Sequence, residues 1–371
     1  MPENTNLLDE DTSLYVTSEN QLLAATSFEQ MSLDPRFIDA LYKVLGFNRP
    51  SLIQAQAIPY ILSQPRHHII VQAQNGSGKT ICFLLGSVSY IDENVKLPQV
   101  LILVHARELA LQIAEVCRKL VSQTSIECTC SLKGIPFNSS AQVVIGSTDS
   151  VKNAVQSMRY NWSHLKCLVI DEADHVLEDR HFAPDIRSMV SLFTAMQLPL
   201  QILLFSATFN EKVMRFARSI APQAIEIRKT AADLRLRTVH MYSVMAGGFE
   251  AKCEALEKVY RVLDVGQTCI FVNQRAVADR LGEWMRGKGH VVEVLRGGDM
   301  DLKKREETLK AFREGKTKVL ISTDVLARGI DVMDVTLVVN FDLPMEGKKF
   351  DSETLLRACR SRWWRTRRKR S

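Results

Sequence analysis

Short runs of Val, Ile and Leu recur along this chain, and the longer stretches between them return an apolar residue every three or four positions. The runs Ile69-Ile70-Val71, Val100-Leu101-Ile102-Leu103-Val104, Gln142-Val143-Val144-Ile145, Leu168-Val169-Ile170 and Ile202-Leu203-Leu204-Phe205 are apolar almost throughout rather than alternating. Continuous runs of this length mark strands buried on both faces. Helical spacing is clearest at Phe37, Ile38, Leu41, Val44 and Leu45, after a start signal at Met31-Ser32-Leu33-Asp34-Pro35. Gly46-Phe47-Asn48-Arg49-Pro50-Ser51 ends that helix and begins another. Strands alternating with amphipathic helices predict an α/β fold, a parallel sheet with helices on both faces.

The alternation breaks at the charged stretch 228–235 and resumes at Thr268-Cys269-Ile270-Phe271-Val272, His290-Val291-Val292-Glu293-Val294, Lys318-Val319-Leu320-Ile321-Ser322 and Thr336-Leu337-Val338-Val339-Asn340. The expected organisation is a flexible acidic extension at 1–27, a first domain at 28–228, a linker at 229–236 and a second domain at 237–356. A basic tail at 357–371 follows. The second domain runs out of apolar pattern early, so it reads as incomplete at its C-terminal end. No short-period repeat is evident.

Composition adds little to that division. The chain has 371 residues, 46% hydrophobic and 24% charged, in the range of a globular protein with about two domains. No apolar run approaches the ~18 residues that span a bilayer, and no basic segment followed by an apolar one opens the chain. Eight scattered cysteines form no zinc pattern and read as buried free thiols in a reducing compartment, the cell interior. The net charge of +6 is uneven: residues 1–27 carry −5 and residues 357–371 carry +8, which leaves +3 for the body between them. The tail, not the body, makes the protein basic. The histidines carry no clear signal: His67-His68 reads as a loop pair, and His175 and His181 flank a helix.

Chemistry concentrates in two places. Ala73-Gln74-Asn75-Gly76-Ser77-Gly78-Lys79-Thr80 lies between a strand and a helix, where successive backbone N–H groups and the positive helix end converge on a polyphosphate. Lys79 adds charge for the outer phosphates and the Thr80 hydroxyl suits Mg2+. A glycine-rich surface turn has similar composition, but the strand–helix context favours a nucleoside triphosphate. Asp171-Glu172-Ala173-Asp174 ends another buried strand. A parallel sheet delivers both stretches to one edge, where Asp171 can bind the same Mg2+, in part through water, and Glu172 can orient or deprotonate the attacking water.

Asp-Glu-Ala-Asp is the name-giving motif of the DEAD-box RNA helicases, and residues 28–354 resemble that family. The resemblance implies two tandem RecA-like domains with parallel sheets, ATP and Mg2+ as cofactors and RNA as partner. Phe28, Gly46, Phe47, Pro50, Ser51 and Gln54 match the adenine-reading motif, with Phe28 expected to stack on the base and Gln54 to bond its edge. Ser206-Ala207-Thr208 matches the motif that couples hydrolysis to domain closure. In the second domain Ile270-Phe271-Val272-Asn273 resembles the fourth motif and residues 323–331 the fifth. There Thr323 and Arg328 are expected on RNA and Asp331 on the ATP ribose. The acidic extension, residues 46–51 and the insertion 345–352 are similar to the mRNA-export branch. That branch implies a nuclear-pore-anchored activator, nucleoporins, and a location in cytoplasm or nucleus at the pore. A monomer without membrane insertion is expected.

Departures from the family fall on the RNA side. Pro-Thr-Arg-Glu-Leu-Ala reads His105-Ala106-Arg107-Glu108-Leu109-Ala110, keeping Arg107 but losing the hydroxyl at Ala106. Thr-Pro-Gly reads Ser147-Thr148-Asp149, where Asp149 could cap a helix or compete with an RNA phosphate. Gln-x-x-Arg reads Leu302-Lys303-Lys304-Arg305, keeping Arg305. Weaker RNA binding and a smaller RNA stimulation of ATPase are expected.

After Thr354 the family's His-Arg-x-Gly-Arg-x-Gly-Arg motif, which supplies arginine fingers, is replaced by a segment rich in Arg and Trp. Fingers contribute roughly 10³–10⁵ in rate, so the chain as written is expected to bind ATP and hydrolyse it poorly. The tail reads as a phosphate-holding, base-stacking segment, as a nuclear-import signal, or as a displaced reading frame. Glycine codons begin GG and arginine codons often begin CG, so a Gly/Arg-rich stretch read one nucleotide early yields Arg or Trp, then Ser or Thr, then Arg or Trp. Arg360-Ser361-Arg362 and Arg365-Thr366-Arg367 have that form. Sequencing past the Thr354 codon should reveal a Gly/Arg-rich helicase motif in another frame; without one, the displaced-frame reading is wrong.

Overall fold

A computed structural model of the chain describes residues 14–18, 22–73, 76–136, 138–157, 159–178, 182–209, 211–229, 242–263, 265–296, 302–323, 335–343, 345–346 and 349–350. The chain divides into two compact units, Met1–Arg235 and Leu236–Ser371. The first contains β1 (Leu14–Val16), α1 (Pro35–Asp39), α2 (Leu52–Leu62), β2 (Ile69–Gln72), α3 (Lys79–Val88), β3 (Val100–Val104), α4 (Arg107–Leu120), β4 (Cys128–Ser131) and β5 (Val143–Ser147). It continues with α5 (Thr148–Gln156), β6 (Cys167–Ile170), α6 (Ala173–Glu178), α7 (Phe182–Ala195), β7 (Gln201–Ser206), α8 (Glu211–Ile220) and β8 (Ile225–Lys229). Its sheet runs β1-β8-β2-β7-β6-β3-β5-β4, parallel except for β1.

The apolar runs are strands because both of their faces are covered. Ile69, Val71, Val100, Ile102, Val104, Val143, Ile145, Val169, Leu203 and Phe205 pack on one side with α2, α3 and α4. Ile70, Leu101, Leu103, Val144, Leu168, Ile170, Ile202 and Leu204 pack on the other with α5, α7 and α8. Each such side chain contributes about 1.5–3 kcal/mol on full burial, which is why runs of four or five residues specify the sheet so firmly.

The second unit repeats the plan on a smaller scale among its described residues. It has α9 (Gly248–Val262), β9 (Gln267–Val272), α10 (Arg275–Gly287), β10 (Val292–Leu295), α11 (Leu302–Arg313), β11 (Val319–Thr323) and β12 (Val335–Asn340). Their parallel sheet runs β10-β11-β9-β12. Helices α9 and α10 cover one face through Cys253, Leu256, Leu281 and Met285, and α11 covers the other through Leu309 and Phe312. A small antiparallel pair, β13 (Met345–Glu346) and β14 (Lys349–Phe350), lies within the expected insertion. The seven described cysteines are free, six of them buried. No helix among the described residues is long and apolar enough to cross a membrane. The linker from 230 to 236 and the tail from 357 lie outside the described residues.

One sequence expectation changes. Residues 1–27 do not read as a uniformly flexible extension, because Leu14–Val16 adds an antiparallel edge strand to β8. Thr17 fastens it, its N–H donating to Glu226 O and its Oγ1 accepting from Glu226 N. Further on, Ala25 N donates to Ala55 O and Leu22 N to Tyr60 Oη, laying the segment along α2. His67-His68 lies in the loop between α2 and β2, as expected, and is tied down there. His68 Nδ1 accepts from Ile202 N at 3.0 Å, and Gln201 Nε2 donates to His67 O at 2.9 Å, so both residues are pinned to β7.

Helix α2 joins the fold to the glycine-rich turn. Ser51 Oγ accepts from Gln54 N at 3.4 Å while Gln54 Oε1 accepts from Ser51 N at 2.8 Å, a reciprocal capping box. The same two side chains reach the turn: Ser51 Oγ donates to Ser77 O at 2.7 Å, and Gln54 Nε2 to Gly78 O at 3.1 Å. Gly78 has φ +95, and a Cβ there would lie 2.5 Å from Gln54 Nε2. Gly46 has φ +70 with nothing within 4 Å of its Cβ position.

Two predictions follow from these contacts. Gly78→Ala should destabilise the first unit by about 2–4 kcal/mol, the sum of left-handed strain and overpacking. Gly46→Ala, which adds strain alone, should cost about 1–2 kcal/mol; equal losses in urea unfolding would show that the Gln54 contact is not decisive. The second concerns His68, whose pKa burial and the neighbouring His67 hold below the ordinary 6.5. As pH falls, the unfolded chain takes up this proton first, so the stability from neutral His68 is complete above pH 6.5. It is then lost as pH falls through the folded value, with a limiting slope of about 1.4 kcal/mol per pH unit. Unfolding between pH 7.5 and 5 should show that decline, and His68→Gln should flatten it; an unchanged slope in the variant would exonerate His68.

Candidate functional site

Strands β2, β7, β6, β3 and β5 run parallel and adjacent in that order, so their C-terminal ends share one edge. Residues 73, 76–80, 206–208, 171–175, 105–107 and 147–149 therefore gather there from distant parts of the sequence.

In the glycine-rich turn, Ala73 is fully buried and its N–H donates to Ser206 O at 3.0 Å. Its carbonyl accepts from Lys79 Nζ at 2.7 Å, so the buried ammonium rests inside the turn. Gly76 and Gly78 both have positive φ, of 80° and 95°, a conformation that glycine adopts at little cost. Gly78 caps α3 without a side-chain hydrogen bond, and Thr80 stands in the first helical turn. A helix start with no side-chain cap suits an anion. Gln74 and Asn75 lie outside the described residues.

The acidic motif begins where β6 ends. Asp171 is buried, its N–H donating to Leu103 O at 3.0 Å and its Oδ1 accepting from Glu172 N at 2.9 Å. Glu172 has φ 51, a left-handed conformation uncommon for a residue with a Cβ. Its Oε2 lies 2.7 Å from His105 Nδ1, close enough for an ion pair yet without the alignment of a hydrogen bond. Burial works to raise the Glu172 pKa; the opposing pull of His105, His175 and Lys79 outweighs it and brings the carboxyl to about 2. Lys79 and Glu172, 93 residues apart in sequence, are thus electrostatic neighbours. Asp174 turns to the third motif: its Oδ2 accepts from Thr208 Oγ1 at 2.6 Å and its N–H donates to Ser206 Oγ at 3.3 Å.

Several expected roles do not match the side-chain positions. Phe28 is fully enclosed, edge-on to Tyr42 at 6.0 Å between ring centroids, so neither face is open to a base. Gln54 is buried with both amide ends engaged by Ser51 and Gly78. An adenine contact there requires exchanging one of these bonds. Asp149 does not cap α5: the N-cap residue is Ser147, whose Oγ bonds Ser150 Oγ at 3.0 Å, and Asp149 is exposed in the first turn. The carboxylate therefore sits beside the helix start without satisfying it. His175, expected only to flank a helix, lies within α6 with its ring 5.2 Å from that of His105.

On the expected RNA side, Arg107 donates to Lys133 O at 2.7 Å at the start of α4. In the second unit, Arg305 lies in α11 and Thr323 ends β11, mostly buried. Arg328 and Asp331 lie outside the described residues. Sequence reasoning missed His105 altogether as a site residue. Its signal was its place where the family has proline, and its neighbour was set by β3 lying beside β6.

The donors fit Mg2+, a hard cation that takes oxygen ligands: a threonine hydroxyl and a buried carboxylate, with water and phosphate completing the shell. No cluster of three or more His, Cys, Asp or Glu able to cage a metal occurs among the described residues, and Mg2+ of this kind needs none.

Residues 51–216 match the DEAD/DEAH box helicase family and residues 251–367 the helicase conserved C-terminal domain. The ATP-dependent RNA helicase DBP5 of Mycosarcoma maydis is 35% identical over 363 residues, 95% of this chain and 78% of its own length. A solved structure of S. cerevisiae Dbp5 bound to RNA and ADP BeF3 superposes with a TM-score of 0.83 at 30% identity, covering 91% of this chain and 86% of that one. Another, of S. cerevisiae Dbp5 bound to Nup159, Gle1, IP6 and ADP, gives a TM-score of 0.65 at 29% identity over 89% and 85% of the two chains. Two RecA-like domains, the nucleotide turn and the acidic motif agree with these matches, and this chain belongs to the DEAD-box ATP-dependent RNA helicase family.

Proposed function

We propose that the chain binds ATP with Mg2+ at residues 76–80 and 171–172 and uses its hydrolysis to remodel short RNA duplexes or RNA–protein complexes during mRNA export. The observation that carries this reading is the set of bonds at Ser206, whose carbonyl holds Ala73 and whose hydroxyl meets Asp174 and Thr208. A change at the nucleotide turn therefore reaches the acidic and coupling motifs through one residue, by its backbone carbonyl on one side and its hydroxyl on the other.

In this reading Lys79 leaves Ala73 O for the outer phosphates, Glu172 orients the attacking water, and Asp171 and Thr80 hold Mg2+, which would neutralise charge on the phosphates. By their match to the family's motifs, Arg107, Arg305, Thr323 and Arg328 are assigned to RNA and Asp331 to the ribose. RNA would be gripped by backbone and 2′-hydroxyl rather than by sequence. The Dbp5 relatives support the export role. Complexes of Dbp5 with Gle1 and Nup159 support a pore-anchored activator and a nucleoporin as partners, at the nuclear pore between nucleus and cytoplasm. Division of the chain at 28–228 and 237–356 assigns the nucleotide to the first domain.

A second reading, a catalytically weak ATP-gated RNA binder or competitor, is favoured by Ala106, Asp149 and the missing Gly/Arg motif after Thr354. Phosphate release with and without RNA, with Glu172→Gln as blank, separates the two. The helicase reading expects RNA to lift the rate at least about tenfold above the blank. A chain that binds ATP but releases phosphate no faster than Glu172→Gln is the weak binder.

A further inference from the structure

The carboxylate that the proposed function assigns to water is held by a residue that the family pattern does not supply. His105 follows β3, and β3 neighbours β6 on the side opposite β7 and β2. The glycine-rich turn follows β2, so His105 meets one Glu172 oxygen from the opposite side of β6, while Lys79 of the turn acts on the same carboxylate electrostatically. The contact is close, 2.7 Å from Nδ1 to Oε2, and both side chains are 13% exposed. His175 lies against the imidazole with ring centroids 5.2 Å apart and planes at 43°, which limits its rotation. Glu172 itself adopts φ 51, so a left-handed backbone accompanies this placement.

We propose that His105 is a positioning residue that latches the Glu172 carboxylate on the β3 side of β6 and thereby restrains ATP hydrolysis in the absence of RNA. The inference rests on the reading of Glu172 as the water-orienting group. The contact engages one carboxylate oxygen from the β3 side, so the carboxylate must leave His105 before it can orient a water at the nucleotide turn. Proline, the family residue at this position, has no side-chain donor and could form no such latch. His105 also stands two residues before Arg107, whose guanidinium donates to Lys133 O at 2.7 Å. An RNA phosphate that drew Arg107 away would act on the backbone carrying His105, so the latch lies where RNA could release it.

The test is single-turnover phosphate release without RNA, with the full chain in excess over ATP. It compares wild type, His105→Ala, His105→Asn, Glu172→Gln and the Ala/Gln double variant, each checked for folding by thermal melting. His105→Ala should raise the single-turnover rate constant about tenfold, with the protein concentration that gives half-maximal rate changed less than about twofold. His105→Asn keeps a donor near the Nδ1 position and should show less than about a third of that gain. The double variant should show none. A His105→Ala rate at or below wild type overturns the latch, as does a gain that survives Glu172→Gln. If Glu172→Gln alone hydrolyses as fast as wild type, the assignment of Glu172 fails first, which separates that failure from failure of the latch. Imidazole nitrogen resonances measured by NMR give a readout independent of activity. The His105 signals should move on Glu172→Gln, and signals indifferent to that change would mean the contact does not form.

Discussion

Ser206 is the fixed point of the first unit's active edge. It ends β7, the strand between β2 and β6, and is fully buried. Its carbonyl accepts from Ala73 N, and its hydroxyl meets the N–H groups of Asp174 and Thr208. A buried hydroxyl in apolar surroundings is costly unless its bonds are made. That cost turns three loops into one object, because none can shift without leaving Ser206 or its own N–H unsatisfied. The Thr208–Asp174 bond at 2.6 Å closes the circuit on the other side.

A second link works by reuse of a local device. The capping box at Ser51 and Gln54 would suffice to start α2, yet both side chains also hold carbonyls of the glycine-rich turn. Starting a helix and shaping the glycine-rich turn thus share the same two residues. Gly78 is required by the crowding that results, since a Cβ there meets Gln54. The acidic motif shows the opposite economy. Glu172 accepts a left-handed backbone and burial, and three cationic or imidazole groups nearby keep it ionised. Such strained, electrostatically loaded positions cluster at functional sites because the surrounding structure must hold them in place.

Much of the fold was legible in the sequence. The first domain's strand runs fell in place because apolar runs buried on two faces carry their own signal, independent of order. Strand β1 was not legible: Leu14, Tyr15 and Val16 are three residues in an acidic stretch, and only the free edge of β8 makes them a strand. His67 and His68 are the loop pair their surroundings suggest, but nothing local reveals that Ile202, far along the chain, donates to the His68 ring. Phe28 and Gln54 were assigned to adenine by motif. Their burial against Tyr42, Ser51 and Gly78 depends on how the helical turn Ala40–Val44, α2 and the glycine-rich turn pack together.

Sequence alone determined the two-unit α/β architecture, the nucleotide turn and the acidic motif, since each is encoded in contiguous residues whose spacing sets local geometry. It also showed where the chain departs from the family's motifs, at Ala106 and Asp149, because a missing hydroxyl needs no structure to be seen. Only the tertiary structure decided which side chains meet at the edge. The order β2-β7-β6-β3 puts Ser206 between the turn and the acids, and His105 against Glu172. Neighbours across a parallel sheet are fixed by long crossovers rather than by sequence distance, so no local pattern could have announced them.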